Sequence, residues 1–251
     1  MFHLSKAAKE IEKYCRLLAS SHELVAICEN KYLMYKHFEG KISVPEFYLV
    51  KTMAELVIAA EKLGYPEKGV VFKPPEGKGA RGVRVLTEKS DRYELLFNGR
   101  PFAKYISMDE LKSTVGKKEI PKLMVMEYLE GVELKIDPVL QDGEMLTCSV
   151  KNRLNFASGL AMGFEMIDDN EAINYARNLL KHLPMDYCID ISTRGGVLME
   201  INPRVSTYIY SENYCAPYLA LKLAMGEMSA DEVRNYQTKL PVGKKMFRYY
   251  G

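Results

Sequence analysis

The chain has 251 residues, of which 47% are hydrophobic and 27% charged, and 35 basic against 33 acidic residues give a formal net charge of +2. This balance provides no strongly basic surface, so we expect no nucleic-acid partner. No apolar run approaches the roughly 20 residues that cross a bilayer, and the charged N-terminus is unlike a signal peptide, so we expect no membrane association and a cytoplasmic location.

The cysteines and histidines show no ligand spacing. The five cysteines are far apart and form no C-x-x-C pair: Cys15, Cys28, Cys148, Cys188 and Cys215. Small buried side chains in a reducing compartment are therefore expected rather than zinc ligands or disulfides. The four histidines are scattered, and we expect none of them to be catalytic.

The first half of the chain alternates between helical and extended patterns. Helical spacing of apolar residues predicts helices over 5–19, from 31 to 38 and over 53–64, the last ending at Gly64. A strand is predicted over 42–50. The predicted strands VVFK and VRVL then flank a glycine-rich segment, and a helix follows over 109–118.

The second half is rich in hairpins. An apolar strand is predicted over 123–129 and a hairpin over 133–151, turning at Asp142-Gly143. A helix over 169–183 precedes a second hairpin, made of DYCIDIS and VLMEIN around Gly195-Gly196, and a helix over 216–227 precedes a last strand in KKMFRYYG. This order predicts an α+β fold with antiparallel hairpins rather than repeated βαβ units.

The segment GKGARG matches G-x-G-x-x-G with glycines at Gly77, Gly79 and Gly82. A dinucleotide fold requires a helix after these glycines, but a predicted strand follows. The loop does not end in Gly-Lys-Ser/Thr, as a Walker A loop does, and H-R-D and D-F-G kinase motifs are absent from the sequence. What remains is a hairpin whose backbone N–H groups could close over phosphates beside Lys73, or a plain surface turn.

The stretch VLMEINPR places Glu200 and Asn202 two residues apart on a predicted strand, so their side chains share a face. The same alternation places Met199 and Ile201 on the other face. Asp190 lies on the adjoining strand of the hairpin, and these three oxygen donors suit Mg²⁺ bridging nucleotide phosphates. A polar cross-strand network without a metal is the alternative.

The stretch LMVMEYLEGVELKID is a third candidate for nucleotide contact. The backbone near Tyr128-Leu129 could line an adenine edge, and Glu133 could accept ribose hydroxyl groups. An ordinary strand and turn would give the same pattern.

Together, in this order, the three stretches resemble the ATP-grasp superfamily of ATP-dependent carboxylate ligases, over about residues 24–227. MxMxYLxGxE and EINPR are similar to the forms in stand-alone members related to carbamoyl-phosphate synthetase. The resemblance implies two α+β subdomains that clamp ATP within a single unit over 1–251. It divides that unit into an N-terminal segment (1–69), a lid (70–131) and a metal-binding subdomain (132–251).

The resemblance also implies roles for individual residues. Lys31 and Lys73 would be the two ATP lysines, and the segment 76–82, with Gly77, Lys78, Gly79 and Gly82, would be the mobile lid loop. The other implied nucleotide contacts are Val71, Val83, Leu129 and Met199 around the adenine, the backbone of Glu127, Tyr128 and Leu129 at its edge, and Glu133 at the ribose. Asp190, Glu200 and Asn202 would bind Mg²⁺ or Mn²⁺, while Arg204 and Arg153, with Lys73, would neutralise the transferring phosphoryl group.

The implied activity is activation of a small-molecule carboxylate as an acyl phosphate, followed by attack of an amine. Two features depart from the family pattern: Met126 stands where many relatives have a carboxylate, and only thirty residues precede Lys31. The short lead favours self-association or a partner chain that completes the acceptor side. An ATP-binding regulator and an ATP-grasp phosphotransferase remain as alternatives.

Overall fold

The structure is a computed structural model that describes residues 1–77, 81–91, 93, 104–157, 160–206, 211 and 213–247. It divides into two compact units. Unit 1 comprises residues 1–44 and 131–251, and unit 2 comprises residues 45–130. The second unit therefore begins at Pro45 rather than at residue 70, because residues 47–62 supply a strand and a helix to the core of that unit.

The helices in the described part of the chain are α1 (Phe2–Lys6), α2 (Ala8–Ile11), α3 (His22–Glu29), α4 (Lys31–Phe38), α5 (Met53–Lys62), α6 (Met108–Val115), α7 (Asn170–Leu180), α8 (Ala216–Ala224) and α9 (Ala230–Arg234), with a 3₁₀ turn at Asn235–Lys239. The strands there are β1 (Phe47–Val50), β2 (Val70–Lys73), β3 (Arg84–Leu86), β4 (Tyr105–Ile106), β5 (Leu123–Glu127), β6 (Glu133–Gln141), β7 (Glu144–Ala157), β8 (Leu160–Ile167), β9 (Tyr187–Cys188), β10 (Asp190–Arg194), β11 (Val197–Asn202) and β12 (Lys245–Phe247). None of the described helices has the length and apolar character needed to cross a membrane.

Unit 2 is a sheet in the order β1-β5-β2-β3-β4, covered on one face by helices. Helix α5 begins with a capping box in which Thr52 and Glu55 satisfy each other's backbone N–H groups. Its residues Leu56 and Ala60 pack on Val70 and other side chains of the sheet. Alternation along β2 then directs Val71 and Lys73 to the opposite face.

Unit 1 is built on a sheet in the order β11-β10-β6-β7-β8-β12, with β9 pairing with β6. The long hairpin β6–β7 forms its centre, and β10 pairs antiparallel with both β6 and β11. Helix α8 packs Leu219 and Ala220 against Val139 of β6. This sheet brings all four strands that carry the candidate charged residues side by side.

The N-terminal region differs from the expected helix over 5–19. The helical turns end at Ile11, and Ser20 is buried with its hydroxyl 2.9 Å from the Asp186 backbone nitrogen, which donates to it. This tertiary contact fixes the segment before α3 in a non-helical path, although its apolar spacing favours a helix. Helix α3, capped by Ser21, was not predicted from the sequence.

Two glycine turns shape the hairpins of unit 1. The predicted turn at Asp142-Gly143 is confirmed, with φ values of 51° and 78°, and Gly195-Gly196 has φ values of 55° and 78°. Left-handed backbone at both central residues is the hairpin geometry that matches strand twist. A Cβ atom on Gly143 would lie 2.6 Å from Cβ of Pro184, whereas one on Gly196 would meet nothing within 4 Å.

These two glycines form a matched pair for a stability test. Gly196→Ala should cost about 1 kcal/mol, because alanine disfavours the left-handed region. Gly143→Ala should cost a further 1–3 kcal/mol or so, since the added methyl group also collides with Pro184. Chemical denaturation of both variants measures the difference, and equal losses would contradict the steric account.

Candidate functional site

One face of the unit 1 sheet is lined with charged and polar side chains, and we call it the charged face. It consists of Glu133, Lys135 and Asp137 of β6; Lys151 and Arg153 of β7; Asp190, Ser192 and Arg194 of β10; and Glu200 and Asn202 of β11. Strand register explains the grouping, since Ser192 lies opposite both Glu200 and Lys135, and Lys135 lies opposite Lys151. Because every second residue of a strand lies on the same face of the sheet, the residues two positions away on each strand lie on the charged face as well.

The three predicted metal ligands meet at the β10–β11 end of the charged face. Asp190 lies directly opposite Asn202 in the strand register. The Asn202 side-chain nitrogen lies 3.3 Å from an oxygen of Asp190 and 3.3 Å from an oxygen of Glu200. Asp190 is buried, whereas the side chain of Glu200 is 37% exposed, so the cluster has one solvent-facing side.

Lys135 inserts its ammonium group into this cluster, a feature that the sequence analysis missed. Its Nζ atom lies 3.1 Å from Asp190 Oδ1 and 3.7 Å from Glu200 Oε1, and it donates a hydrogen bond to Ser192. Burial lowers the pKa of Lys135, but the charges of Asp190 and Glu200 outweigh this effect and raise the pKa above its ordinary value. The lysine is therefore a buried, charged cation.

Arg204, just after β11, neutralises the other side of Asp190. Its guanidinium group lies 3.1 Å from Asp190 Oδ2. The side chain of Arg204 is 46% exposed, in contrast to 11% for Lys135. Arg204 is thus the cation of this pair that can turn toward a ligand in solvent.

Glu133 lies between two arginines. One of its carboxylate oxygens accepts a hydrogen bond from Arg153, and the other lies 2.7 Å from Arg194. The residue is buried, so this carboxylate holds both guanidinium groups in place. The predicted ribose contact of Glu133 stays a prediction, and the structure adds Arg194 to the candidate residues.

A second buried ion pair joins Asp137 and Lys151, whose charged atoms are 2.7 Å apart. The ammonium group also lies 5.3 Å from the centre of the Phe164 ring. Burial raises the pKa of Asp137, against the opposing charge of Lys151. Because Lys135 and Lys151 face each other across β6 and β7, each needs a carboxylate of its own to offset their repulsion.

Strand β11 does not alternate as the sequence predicts. Ser192 pairs with Glu200 while Thr193 pairs with Leu198, so Met199 is the extra residue of a β-bulge. Leu198 and Ile201 are both buried, whereas Met199 is partly exposed, as is Glu200. The prediction that Met199 and Ile201 share a face is therefore wrong, because the bulge interrupts the two-residue period between them.

The remaining unit 1 candidate, Lys31, is the first residue of α4. The preceding residue Asn30 caps this helix through its side chain, which accepts from the Leu33 backbone nitrogen at 3.1 Å. Nearby in sequence, the Tyr35 hydroxyl donates to the backbone oxygen of Met199 at 2.7 Å. This bond ties α4 to the bulged strand that carries Glu200.

Unit 2 contains the candidate Lys73 and the candidate glycine-rich segment that follows it. Val71 and Lys73 share one face of β2, where Val71 pairs with Val85 and with Met126. Gly82 has a φ of 73°, and a Cβ atom there would lie 2.9 Å from the Pro74 ring, so glycine is required. Gly77 and Val83 are among the described residues, whereas Lys78 and Gly79 lie outside them.

The candidate adenine segment follows β5 in unit 2. The Glu127 backbone nitrogen donates to the Glu46 carbonyl at 3.1 Å, and a Glu127 side-chain oxygen accepts from the Glu46 backbone nitrogen at 3.2 Å. The N–H group of Glu127 is therefore already engaged. The backbone groups left to hydrogen-bond the edge of an adenine base would be those of Tyr128 and Leu129, which lie just beyond the strand.

The side chains of Asp190, Glu200 and Asn202 form a donor set that suits a hard divalent cation. Two carboxylates supply oxygen donors, and the Asn202 amide, whose nitrogen faces both of them here, would supply a third once its oxygen turned toward an ion. The buried Asp190 Oδ1 atom is ion-paired with Lys135 at 3.1 Å and accepts no hydrogen bond from any described residue. No group of three or more His, Cys, Asp or Glu side chains suited to a metal was found in the described ranges. An ion here would complete its coordination with phosphate oxygens and water, as Mg²⁺ commonly does.

Comparison with known proteins gives a match to a family and to a fold. The family model described as "ATP-grasp in the biosynthetic pathway with Ter operon" matches residues 119–245. The carbamoyl phosphate synthase large chain of Pseudothermotoga lettingae is 29% identical over 142 residues, which are 55% of this chain and 11% of that protein. The matched region includes about half of this chain and only a small part of its relative.

Solved structures show the fold. Carboxyaminoimidazole ribonucleotide synthase from Aspergillus clavatus, complexed with ATP, superposes with a TM-score of 0.66 at 15% identity, covering 91% of this chain and 59% of that one. D-alanine–D-alanine ligase from Bacillus anthracis, complexed with ATP, gives 0.52 at 18% identity, covering 93% and 73%. The predicted α+β ATP-grasp fold is confirmed. With its family model matching just over half its length, the chain belongs to the ATP-grasp family described as "ATP-grasp in the biosynthetic pathway with Ter operon".

Proposed function

We propose that the protein is an ATP-dependent ligase that activates a carboxylate as an acyl phosphate for attack by an amine. The observation that carries the proposal is the meeting of Asp190, Glu200 and Asn202 beside Arg204 on paired strands. Oxygen donors next to a partly exposed guanidinium group suit a polyphosphate bound with a divalent cation. ATP and Mg²⁺, or Mn²⁺ in its place, are the ligands that this arrangement supports.

The nucleotide contacts implied by the resemblance are assigned here for each unit by itself. In unit 2, we assign Lys73 to the α- and β-phosphates, the glycine segment 76–82 to the phosphate oxygens, and Val71, Val83 and Leu129 to the adenine. In unit 1, we assign Lys31 to the phosphates, Met199 to the adenine and Glu133 to the ribose. Family membership over residues 119–245 and the partly exposed position of Met199 on the bulge support the assignments of Leu129, Glu133 and Met199, and the other assignments rest on the motif resemblance.

The proposed reaction has two steps. A carboxylate oxygen of the substrate attacks the γ-phosphorus of ATP, the bond to the β-phosphate oxygen breaks, and ADP leaves. The amine then forms a C–N bond at the acyl carbon, loses a proton and expels inorganic phosphate. Arg204, Arg153 and Lys73 would stabilise the charge that spreads over the phosphoryl oxygens. A cation held by Asp190, Glu200 and Asn202 would supply further neutralisation.

Lys73→Ala should weaken ATP binding about tenfold or more, because a charge-assisted hydrogen bond contributes roughly 1.5–3 kcal/mol. Lys112→Ala, which removes an exposed lysine of α6 in the same unit, is the matched control and should bind ATP normally. Isothermal titration calorimetry measures both affinities. An unchanged affinity in Lys73→Ala would remove this lysine from the nucleotide site.

Glu200→Gln should retain most of its ATP affinity and lose ADP release on the order of a hundredfold. The variant keeps the size of the side chain but removes the charge that holds the cation during phosphoryl transfer, when negative charge shifts most. The control is Glu227→Gln, which makes the same change at a carboxylate that pairs with Lys222 and is not one of the candidate site residues. A coupled ADP assay and nucleotide calorimetry separate the two effects, and normal turnover in Glu200→Gln would defeat the metal assignment.

The acyl phosphate itself can be trapped. Hydroxylamine added to the enzyme with Mg-ATP and a candidate carboxylate should yield a hydroxamate, detected by its ferric complex, in proportion to the ADP released. Omission of the carboxylate is the control. Carboxylate-dependent ADP release that gives a stable phosphorylated product instead would show a phosphotransferase.

A further inference from the structure

Lys135 occupies the space between the two carboxylates to which a divalent cation is assigned. Its ammonium nitrogen lies within 3.1 Å of Asp190 Oδ1 and 3.7 Å of Glu200 Oε1. Hydrogen bonds to Asp190 and Ser192 fix its position. The cluster is therefore already held together by a cation that belongs to the protein.

The charge balance of the cluster differs from that of a preformed metal site. Asp190 and Glu200 carry two negative charges, and Lys135 and Arg204 carry two positive charges against them. A divalent cation that enters this neutral group meets repulsion from the Lys135 ammonium group at short range. Lys135 is buried and hydrogen-bonded to Ser192, which lies opposite it in the strand register, so its ammonium group is held in the cluster.

We propose that Lys135 is a resident counter-ion that keeps divalent-cation affinity low until nucleotide phosphates add their negative charge. Lys135 is a positioning residue that acts through Asp190 and Glu200. The inference rests on the proposed function for its metal ligands. It adds that the free protein should be a poor metal binder and that the metal and the nucleotide should bind together.

Three observations favour this role over a purely structural one. Lys151, the neighbouring buried lysine, is neutralised by a different carboxylate, Asp137, so Lys135 is not needed to balance that pair. Asn202 already joins Asp190 and Glu200 through its amide, so the carboxylates are held together without the lysine. The ammonium group also approaches Asp190 Oδ1, the buried oxygen that accepts no hydrogen bond from a described residue.

The test measures Mn²⁺ binding to the full chain without nucleotide, by the loss of the free Mn²⁺ electron paramagnetic resonance signal. Lys135→Met should bind Mn²⁺ about tenfold or more tightly than the wild type, since a unit charge within about 4 Å opposes the ion strongly. Lys135→Arg, which keeps the positive charge, should stay as weak as the wild type. Lys36→Met removes an exposed lysine paired with Glu39 and should change nothing.

A double variant locates the gained site. Lys135→Met combined with Glu200→Gln should lose the gain if the ion binds at this carboxylate pair. If Lys135→Met fails to fold, Lys135→Gln retains a polar side chain without charge and should show the same gain in affinity. Thermal unfolding with and without Mn²⁺ gives an independent readout, with stabilisation by the ion expected in the uncharged variants.

The outcomes separate this inference from the proposed function. A wild-type protein that binds Mn²⁺ as tightly as Lys135→Met, or a gain of equal size in Lys135→Arg, overturns the counter-ion role. Such a protein can still release ADP with a carboxylate, which would leave the ligase proposal intact. Absence of ATP binding by the wild type would overturn the ligase proposal, while a gain in Mn²⁺ affinity in Lys135→Met would still support the counter-ion.

Discussion

Mutual neutralisation of buried charges is the constraint on which the functional part of this protein depends. The side chains of Glu133, Asp137 and Asp190 are buried on one face of a sheet, where an unpaired carboxylate would cost several kcal/mol. Each is matched by a basic side chain from an adjoining strand rather than from its own. The register of β6, β7 and β10 is therefore fixed by electrostatics as well as by packing, because a slip of one residue would separate every pair.

This arrangement suits an enzyme whose ligand is itself highly charged. Arg153 and Arg194 are preorganised by Glu133, and the exposed Arg204 remains near Asp190, so basic groups are in place before a polyphosphate arrives. Preorganised charge requires little rearrangement during phosphoryl transfer. In the proposed reaction, the same pairing would limit the negative charge available to a cation in the free protein, and the nucleotide would take part in forming the metal site.

Much of the architecture follows from local signals in the sequence. The Asp142-Gly143 turn, the Gly195-Gly196 turn and the EINPR strand were predictable, because turn residues and two-residue alternation act over short distances. The positions of Lys135 and Met199 were not, since they depend on which strands pair and on a bulge that no nearby residue specifies. The N-terminal segment was predicted incorrectly for a similar reason: a contact of Ser20 with Asp186 overrides local helical preference. The expected roles of the site residues in both units, and association with a partner, stay predictions.

The bulge at Met199 has a consequence for how such a protein can diversify. An extra residue in an antiparallel pair has no partner across the strand, so its side chain is free of the size limits that cross-strand contact imposes. Leu198 and Ile201 on either side anchor β11 in the core. Position 199 can therefore accept different side chains over evolutionary time while Glu200 keeps its place. In the proposed site, the residue assigned to the adenine and the carboxylate assigned to the cation are adjacent in the chain yet able to vary independently.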